Sequence, residues 1–324
     1  MIASYMMALD MSVLAPALAQ HGATVLLNVV VAIAVGAGAT MWWTTRANSV
    51  WARGQARTVR RVALVALALA LCASAVVLWL QAAAMAEVPL AQAGEATRSM
   101  LSSTHLGLAW KIGMGALMLA TAAMALARPG RHERVLVLVG LAAMAGFLYT
   151  RSMVSHASAD GDFSALMVVD WVHLILICLW VGEVIVSGLV VFSSSPGALL
   201  DNRNDCARYV ESLSRSATIA LVGIFATGLL NAWRNLGGIS ELVSNAYGIT
   251  LLIKLTLVSG AVLLGGANRF IVMPGLIASL RSGDAGADKA IQKFTQILRV
   301  EAVVLVAVLL MAAILSATSP PTAG

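Results

Sequence analysis

The sequence predicts an all-α, polytopic membrane protein, a bundle of eight transmembrane helices. Of the 324 residues, 60% are hydrophobic and 11% are charged, and the mean hydropathy is +0.89. A soluble protein does not need that much apolar sequence for its core. The apolar residues form runs of about 20, the length of helix that crosses roughly 30 Å of hydrocarbon. The predicted helices cover 22–42, 60–86, 104–127, 134–150, 165–192, 213–233, 247–271 and 297–317.

The positions of the basic residues predict the topology. Four loops, with the adjoining helix ends, hold 16 of the 21 Lys and Arg residues: 43–59, 128–134, 193–215 and 269–299. Cytoplasmic loops of membrane proteins are enriched in Lys and Arg. We therefore expect both termini to face the periplasm of a bacterial inner membrane. The net charge of +6 reflects this topology and gives no reason to expect a nucleic-acid partner.

The connections between the predicted helices are short, so we expect one integral membrane domain. Residues 1–21 are predicted to be a periplasmic lead-in, 22–150 to hold helices one to four, and 151–321 to hold helices five to eight. The longer loops 193–215 and 273–294 are predicted to lie at the membrane surface as short helices. No segment outside the membrane is long enough for a soluble catalytic domain, and we expect no enzyme.

The fifth predicted helix carries three ionisable residues, Asp170, His173 and Glu183. An ionisable group inside a membrane costs about 2.5–3.5 kcal/mol on insertion scales, so such groups need partners and often mark function. Asp170 and His173 share a helical face near the outer end, and Glu183 lies about 15 Å deeper than His173. Lys111 and Lys254 are predicted at the depth of Asp170 and are its natural counter-ions. A buried network that only joins helices is the alternative.

Histidine and methionine residues concentrate on the predicted outer side. His21, His105, His156 and His173 all fall there. Met153 precedes His156 by three residues in a polar loop, where we expect no packing need for a methionine. Thioether and imidazole together are ligands that suit copper.

The cytoplasmic ends of the last two predicted helices carry opposite charges, Arg269 and Glu301, which we expect to form a structural ion pair. On the seventh predicted helix, four residues spaced seven apart form a partly polar stripe that should face the bundle interior. Its members are Tyr247, Lys254, Ala261 and Asn268.

Four segments in order resemble the copper resistance D (CopD) family of bacterial inner-membrane proteins: "SHASADG", "VDWVHLILICLWVGEV", "AYGITLLIKLTLVSGAVLLGGANRF" and "RVEAVVLVAVLLMAAILSATSPP". The family pattern has a Gly-His-Ala loop, an Asp-x-x-His helix start followed by Trp-x-Gly-Gly, a Tyr-Gly…Lys…Asn-Arg helix and a Glu-led last helix. The resemblance spans 155–321, while the first half agrees in helix number and in "THLGLAWK". Ser155 and Glu183 stand where the family pattern has glycine.

The resemblance implies copper handling by eight helices, with delivery of copper across the inner membrane and a small periplasmic partner of the CopC type. No CopC-like domain is fused to this chain, so we expect that partner to be separate. No nucleotide-binding loop or phosphorylated Asp motif supports an ATP-driven pump. We interpret the protein as copper-binding and copper-translocating, as Cu(I) or Cu(II), with import favoured.

His156 and His173 are the first candidate copper ligands, followed by the set Met153, His105, His21 and Asp170. Asp170 has an alternative role, orienting His173, because an imidazole that binds a metal usually donates its other N–H to a carboxylate or carbonyl oxygen. Glu183, which the family pattern does not predict, is a candidate ligand, proton carrier or ion-pair partner of Lys111 or Lys254.

Two alternatives to copper translocation stay open. A membrane b-type cytochrome would clamp haem b between His105 and His173 as axial ligands. A copper sensor or periplasmic docking platform would bind copper without transporting it. Membrane lipid is an expected partner in every case, and a homo-oligomer is a further open alternative.

Overall fold

The computed structural model of the protein describes residues 11–45, 49–130, 132–155, 157–158, 161–193, 199–235, 241–284, 286–316 and 318. The described part of the chain is helical and contains no strand. The helices are α1 (Met11–Thr44), α2 (Val50–Met85), α3 (Ala93–Ser103), α4 (His105–Leu126), α5 (Glu133–Ser152), α6 (Ala165–Leu189), α7 (Arg203–Asn235), α8 (Glu241–Ser244), α9 (Ala246–Ala267), α10 (Met273–Ser282) and α11 (Ala287–Ser316). A π-helix, Asn268–Val272, joins α9 to α10.

Eight of the described helical segments are long and apolar enough to cross a membrane, which confirms the predicted all-α, multi-pass bundle. Several helices extend past their predicted ends. α2 begins at Val50, α7 at Arg203 and α11 at Ala287, each about ten residues early. Hydropathy detects only the part of a helix that lies in lipid, whereas arginine and other straight-chain polar residues continue the helix into water. α1 begins at Met11, so part of the predicted lead-in is helical, and residues 1–10 lie outside the described chain.

Side-chain caps fix where three of the helices begin. Thr104, Ser164 and Asn245 accept a hydrogen bond from the backbone N–H three residues on, at the starts of α4, α6 and α9. Small polar residues satisfy amide groups that a helix start leaves unpaired. These caps set the register of the candidate site residues that follow in the first turns.

α6 occupies the centre of the bundle and packs against α1, α5, α7 and α11. At its crossing with α1, a Cβ atom added to Gly182 would lie only 1.8 Å from the carbonyl oxygen of Ala32, and one added to Gly36 only 2.0 Å from the carbonyl carbon of Gly182. The two backbones therefore touch directly, as small residues allow at helix crossings in membranes. Every residue from Trp180 to Gly188 is buried.

The two ends of α6 define the two ends of the bundle. We name the end at which α6 starts the Asp170 end and the opposite one the Glu183 end. The predicted interior stripe of α9 is confirmed, because Tyr247, Ala261 and Asn268 are buried and Lys254 is partly buried. The stripe therefore runs along the bundle interior from the Asp170 end toward the Glu183 end.

Candidate functional site

His173 is held on α6 by a threonine of α7. Its Nδ1 atom lies 2.8 Å from the Thr227 hydroxyl, and that hydroxyl donates to the carbonyl oxygen of Gly223 at 2.6 Å. Because the threonine proton is used in this way, its oxygen accepts and His173 Nδ1–H donates. Gly228 leaves room for the ring, since a Cβ there would lie 3.1 Å from His173 Cε1.

In the neutral imidazole, this hydrogen-bond network leaves the other ring nitrogen of His173, Nε2, unprotonated. None of the described residues forms a hydrogen bond with Nε2. An imidazole binds a metal through its unprotonated nitrogen while the opposite N–H is held by an oxygen acceptor. This geometry is compatible with the predicted role of His173 as a metal ligand, and Thr227 is the residue that orients the ring.

Asp170 is bound from two directions. Its Oδ2 accepts from the Ser155 hydroxyl at 3.1 Å, and its Oδ1 accepts from the Asn231 amide of α7 at 3.4 Å. The hypothesis that Asp170 orients His173 is wrong, since Thr227 occupies that position. Asp170 instead ties α6 to α7 and to the segment that follows α5.

The two lysines differ in their surroundings. Lys254 of α9 is partly buried and interacts electrostatically with Asp170 and His173. The ion pairs within 4.0 Å among the described residues do not include Lys254. Lys111 is exposed on α4. The structure therefore brings Lys254, and not Lys111, to the ionisable groups of α6. Lys111 lies in the second turn of α4, and a lysine so close to the start of a membrane helix can extend its ammonium group to the membrane surface.

His105 pairs with an aspartate that the sequence interpretation did not single out. Its Nε2 lies 2.8 Å from Asp162 Oδ2, and the Tyr149 hydroxyl donates to the Asp162 carbonyl at 2.7 Å. His105 is half exposed. These contacts fasten the segment between α5 and α6 to the start of α4. The haem alternative gains no support, because the Nε2 atom needed for axial ligation already contacts a carboxylate.

The remaining candidate ligands at this end have different outcomes. Met153 is buried with Met167 and Ala109, so the expectation that packing does not require it is wrong; its role as a ligand stays a prediction. His21 is partly buried on α1. His156 lies outside the described residues. Within the described ranges, no group of three or more His, Cys, Asp or Glu residues is close enough to hold a metal ion.

Glu183 lies at the opposite end of α6 and is 1% exposed. Its Oε1 accepts from the Trp43 indole N–H at 3.0 Å, and its Oε2 has no hydrogen-bond partner among the described residues. The Ser216 hydroxyl is close to the carboxyl group without meeting hydrogen-bond geometry. The expectation of an ion pair with Lys111 or Lys254 is wrong, since the described contacts of Glu183 include neither lysine.

Neighbouring helices extend the polar surroundings of Glu183. The Tyr209 hydroxyl of α7 lies 3.2 Å from the Thr40 hydroxyl and 2.8 Å from the Ser187 hydroxyl. Trp43 and Tyr209 also line a cavity of about 260 Å³. The other polar residues lining it are Thr44, Trp51, Asp205, Arg208, Glu211, Ser212 and Arg215. Trp43 therefore contacts both the Glu183 carboxylate and this polar cavity.

The predicted ion pair between Arg269 and Glu301 does not form. Arg269 donates to the Ser214 carbonyl and hydroxyl, both at 2.7 Å, and to the Thr218 hydroxyl. Glu301 accepts from the Trp180 indole N–H at 3.2 Å. Both residues line a cavity of about 220 Å³. The prediction was wrong because similar depth on two helices does not fix which way the side chains point.

Comparison with known proteins places both halves of the chain in one family. The family model described as copper resistance protein D matches residues 207–315, and that of the copper resistance protein D-like N-terminal domain matches residues 14–165. The copper resistance protein D of Pseudomonas syringae pv. tomato is 28% identical over 237 residues, 70% of this chain and 70% of that protein. No solved structure matches the chain. The chain belongs to the copper resistance D family.

Proposed function

We propose that this protein serves in copper resistance by binding copper at the Asp170 end of α6 and moving it to the Glu183 end. Membership of the family and the Pseudomonas relative support the role in copper resistance. The observation that carries the finer proposal is His173, whose Nε2 is left available by the Thr227 hydrogen bond. A protein that only binds copper would not need a buried carboxylate such as Glu183 further along the same helix, so Glu183 supports movement of copper as well as binding.

Copper is captured, in this proposal, by the side chains around the start of α6. The first candidates are His156 and His173, and the set Met153, His105, His21 and Asp170 follows. Imidazole and thioether groups suit copper in either oxidation state, with sulfur favouring Cu(I) and nitrogen favouring Cu(II). The Asp162 carboxylate beside His105 adds negative charge where a cation enters.

Movement toward the Glu183 end then involves Glu183. This carboxylate is about 15 Å further along α6 than His173 and contacts no described cationic group that balances its charge. A cation that reaches it would be stabilised by that charge. From there the Tyr209 cluster and the polar cavity of about 260 Å³ lead outward.

The segment of α6 between His173 and Glu183 is apolar and packed in the core. Copper therefore passes when the helices around α6 shift, and not through a standing channel. We assign the Asp170 end to the periplasm and the direction to import, on the distribution of Lys and Arg. The location is then a bacterial inner membrane, with a separate CopC-like protein as the periplasmic copper donor and no enzymatic activity.

Metal analysis of the purified protein tests binding. We expect the wild type to retain copper and to lack a haem Soret band, and His173→Ala to lower the copper content to less than half. His132→Ala is the matched control, because His132 is exposed just before α5 at the other end of the bundle. Unchanged copper in His173→Ala, or a Soret band that this substitution removes, would contradict the proposed site.

Copper uptake by proteoliposomes tests movement. We expect the wild type to take up copper faster than protein-free vesicles and Glu183→Gln to slow uptake at least tenfold while it keeps the bound copper. The amide retains the size of the side chain and can still accept the Trp43 hydrogen bond. Copper binding without uptake in the wild type would leave the sensor or docking platform as the function.

A further inference from the structure

A second cavity lies beside the proposed copper route. It measures about 220 Å³ and is lined by α6, α7, the junction of α9 with the π-helix, the start of α10, and α11. Its wall is mainly apolar, with Glu301, Asn268 and Arg269 as the ionisable or amide side chains. None of the candidate copper ligands lines it. Its volume is ample for water, since one water molecule needs a cavity of only roughly 10–15 Å³.

Glu301 reaches this cavity from α11 as a carboxyl group without a cationic partner. It is 2% exposed, and its one described hydrogen bond comes from the neutral indole of Trp180. A Cβ added to Gly265 of α9 would lie 3.1 Å from Glu301 Oε1, so the carboxyl group rests against bare backbone. An ionised carboxylate buried at membrane depth without a counter-ion is costly, and uptake of a proton removes that charge.

The charged groups around Glu301 are engaged elsewhere. Arg269 is held against α7 by Ser214 and Thr218. Arg299, two residues before Glu301, donates to the Gly188 carbonyl at 3.1 Å and to Ser193. Glu183, on the α6 side, accepts from Trp43. Among the described residues, none of these groups forms an ion pair with Glu301 within 4.0 Å.

Asn268 supplies a second, independent sign that the cavity is occupied. It is 4% exposed, lines the cavity, and its Oδ1 has no hydrogen-bond partner in the described part of the chain. Buried amide oxygens normally have a partner, and water or a ligand supplies it where the protein does not. Asn268 also opens the π-helix, and π-helical turns occur frequently at functional sites.

We propose that Glu301 takes up and releases a proton through this water-accessible cavity, and that this exchange is coupled to the movement of copper. The coupling rests on the proposed function, whereas the proton site does not. In the uptake step a hydronium ion gives its proton to the carboxylate, which yields a carboxylic acid and water with no electron transferred. Asn268 Oδ1 accepts a hydrogen bond from the water that delivers the proton.

The donor atoms of the cavity favour a proton over a metal ion. They are the carboxylate, an amide oxygen and hydroxyl groups, with Met273 as the one sulfur among the lining residues. Copper prefers several nitrogen or sulfur ligands. The guanidinium of Arg269 in the same wall opposes a second fixed cation, whereas protonation of Glu301 adds only one unit of charge to an anion.

Trp180 connects this site with the copper route. It lies seven residues after His173, on the same face of α6, and donates to Glu301. A carboxylate accepts a stronger hydrogen bond from an indole N–H than a neutral carboxylic acid does. Protonation of Glu301 therefore weakens the contact between α6 and α11, so the position of α6 responds to the proton.

Infrared difference spectroscopy of the copper-free, full-length protein tests the proton site. Titration of the wild type should reveal the carbonyl stretch of a buried protonated carboxyl group, and Glu301→Gln should lose that band. Trp180→Phe should shift its frequency, because the indole donor is removed. Glu211→Gln is the control, since Glu211 pairs with Arg281 at the surface, and the buried band should persist. A spectrum of Glu301→Gln identical to the wild type, or a Trp180→Phe band without a shift, would overturn the proposal.

Copper uptake under imposed gradients tests the coupling. For one proton per copper, a gradient of one pH unit should change the equilibrium accumulation of copper about tenfold. Glu301→Gln should keep copper uptake but lose this response. A wild type that responds to a sodium gradient and not to a pH gradient would overturn the coupling. If the wild type moves no copper at all, the proposed function fails, while the infrared titration still decides the proton site.

Discussion

Polar side chains at the two ends of α6 differ in their burial and in their hydrogen-bond partners. At the Asp170 end the residues of α6 are mostly half-buried, and Asp170 and His173 each have a polar partner on α7. At the Glu183 end the residues from Trp180 to Gly188 are all buried. There the carboxyl groups of Glu183 and Glu301 accept only from indole N–H groups in the described contacts.

In the proposed function, this difference lets one helix combine binding of an ion at one end with tight packing at the other. At the Asp170 end, the candidate ligands Asp170 and His173 are partly buried and held by polar partners, which fits the proposed capture of an ion. At the Glu183 end the backbones of α1 and α6 touch at Gly36 and Gly182, so the two helices leave no space between them at that crossing. Under the proposed function, an ion binds at the first region while the contact between α1 and α6 at the second stays in place.

The largest expected effect comes from disturbing the closed region with Gly182→Ala. The new Cβ would meet the backbone of Ala32 at 1.8 Å, so α1 and α6 must separate. Overpacking of this kind costs about 1–3 kcal/mol, and more where backbone cannot move. We expect a lower unfolding temperature in detergent and less folded protein.

Gly115→Ala is the matched control for that substitution. Gly115 lies in the middle of α4, with nothing within 4 Å of an added Cβ. Alanine there should leave stability unchanged or raise it by up to about 1 kcal/mol. Equal unfolding temperatures for the two variants would contradict the direct backbone contact.

A smaller effect is expected from Thr227→Val, which keeps the shape of the side chain and removes its hydroxyl. His173 Nδ1–H would lose its acceptor, and the tautomer that exposes an unprotonated Nε2 would lose its support. Substitution of groups that orient a metal ligand typically weakens metal binding about 10- to 100-fold. Competition with a chelator measures the copper affinity. Thr250→Val is the control, because the Thr250 hydroxyl bonds only the Ala246 carbonyl of its own helix. A similar loss in both variants would argue against an orienting role.

The smallest expected effect distinguishes the two lysines. Lys254→Met removes a positive charge near Asp170 and His173, so copper affinity should rise, severalfold if the interaction is on the order of 1 kcal/mol. Lys111→Met should leave copper affinity unchanged, because Lys111 is exposed on α4. The same chelator competition measures both. An equal change in the two variants would show that Lys254 has no special place beside the site.

The sequence was sufficient to predict the membrane-spanning helices, because hydropathy reports their length. It was also sufficient to predict which face of α9 points into the bundle, because a seven-residue spacing places residues on one face of a helix. It was insufficient for contacts between helices. Thr227, Asn231 and Trp43 lie on helices other than α6, and only the rotation of those helices brings them to it. Tyr209 escapes the sequence interpretation for a different reason, since 193–215 is predicted to form short helices at the membrane surface, whereas Tyr209 lies near the start of the long helix α7.

The errors over charged residues share one physical cause. Counting residues along a helix gives the depth of a side chain, and Lys111, Arg269 and Glu301 were matched with partners by depth alone. The sequence does not give the rotation of each helix about its own axis, which decides the neighbour toward which a side chain points. It directs Arg269 to hydroxyl groups of α7 and Glu301 to an indole of α6. The resemblance to a family could not supply these partners, because a pattern of motifs carries no distances.

The contact between Gly36 and Gly182 also determines which defects a second substitution can repair. A Cβ added at Gly223 would meet the end of the Leu176 side chain at 2.4 Å, so a shorter residue at 176 restores the space. A Cβ added at Gly182 meets backbone atoms of Ala32 and Gly36, which no exchange of side chains removes. A suppressor screen should therefore rescue Gly223→Ala through changes at Leu176 and return only true revertants of Gly182→Ala.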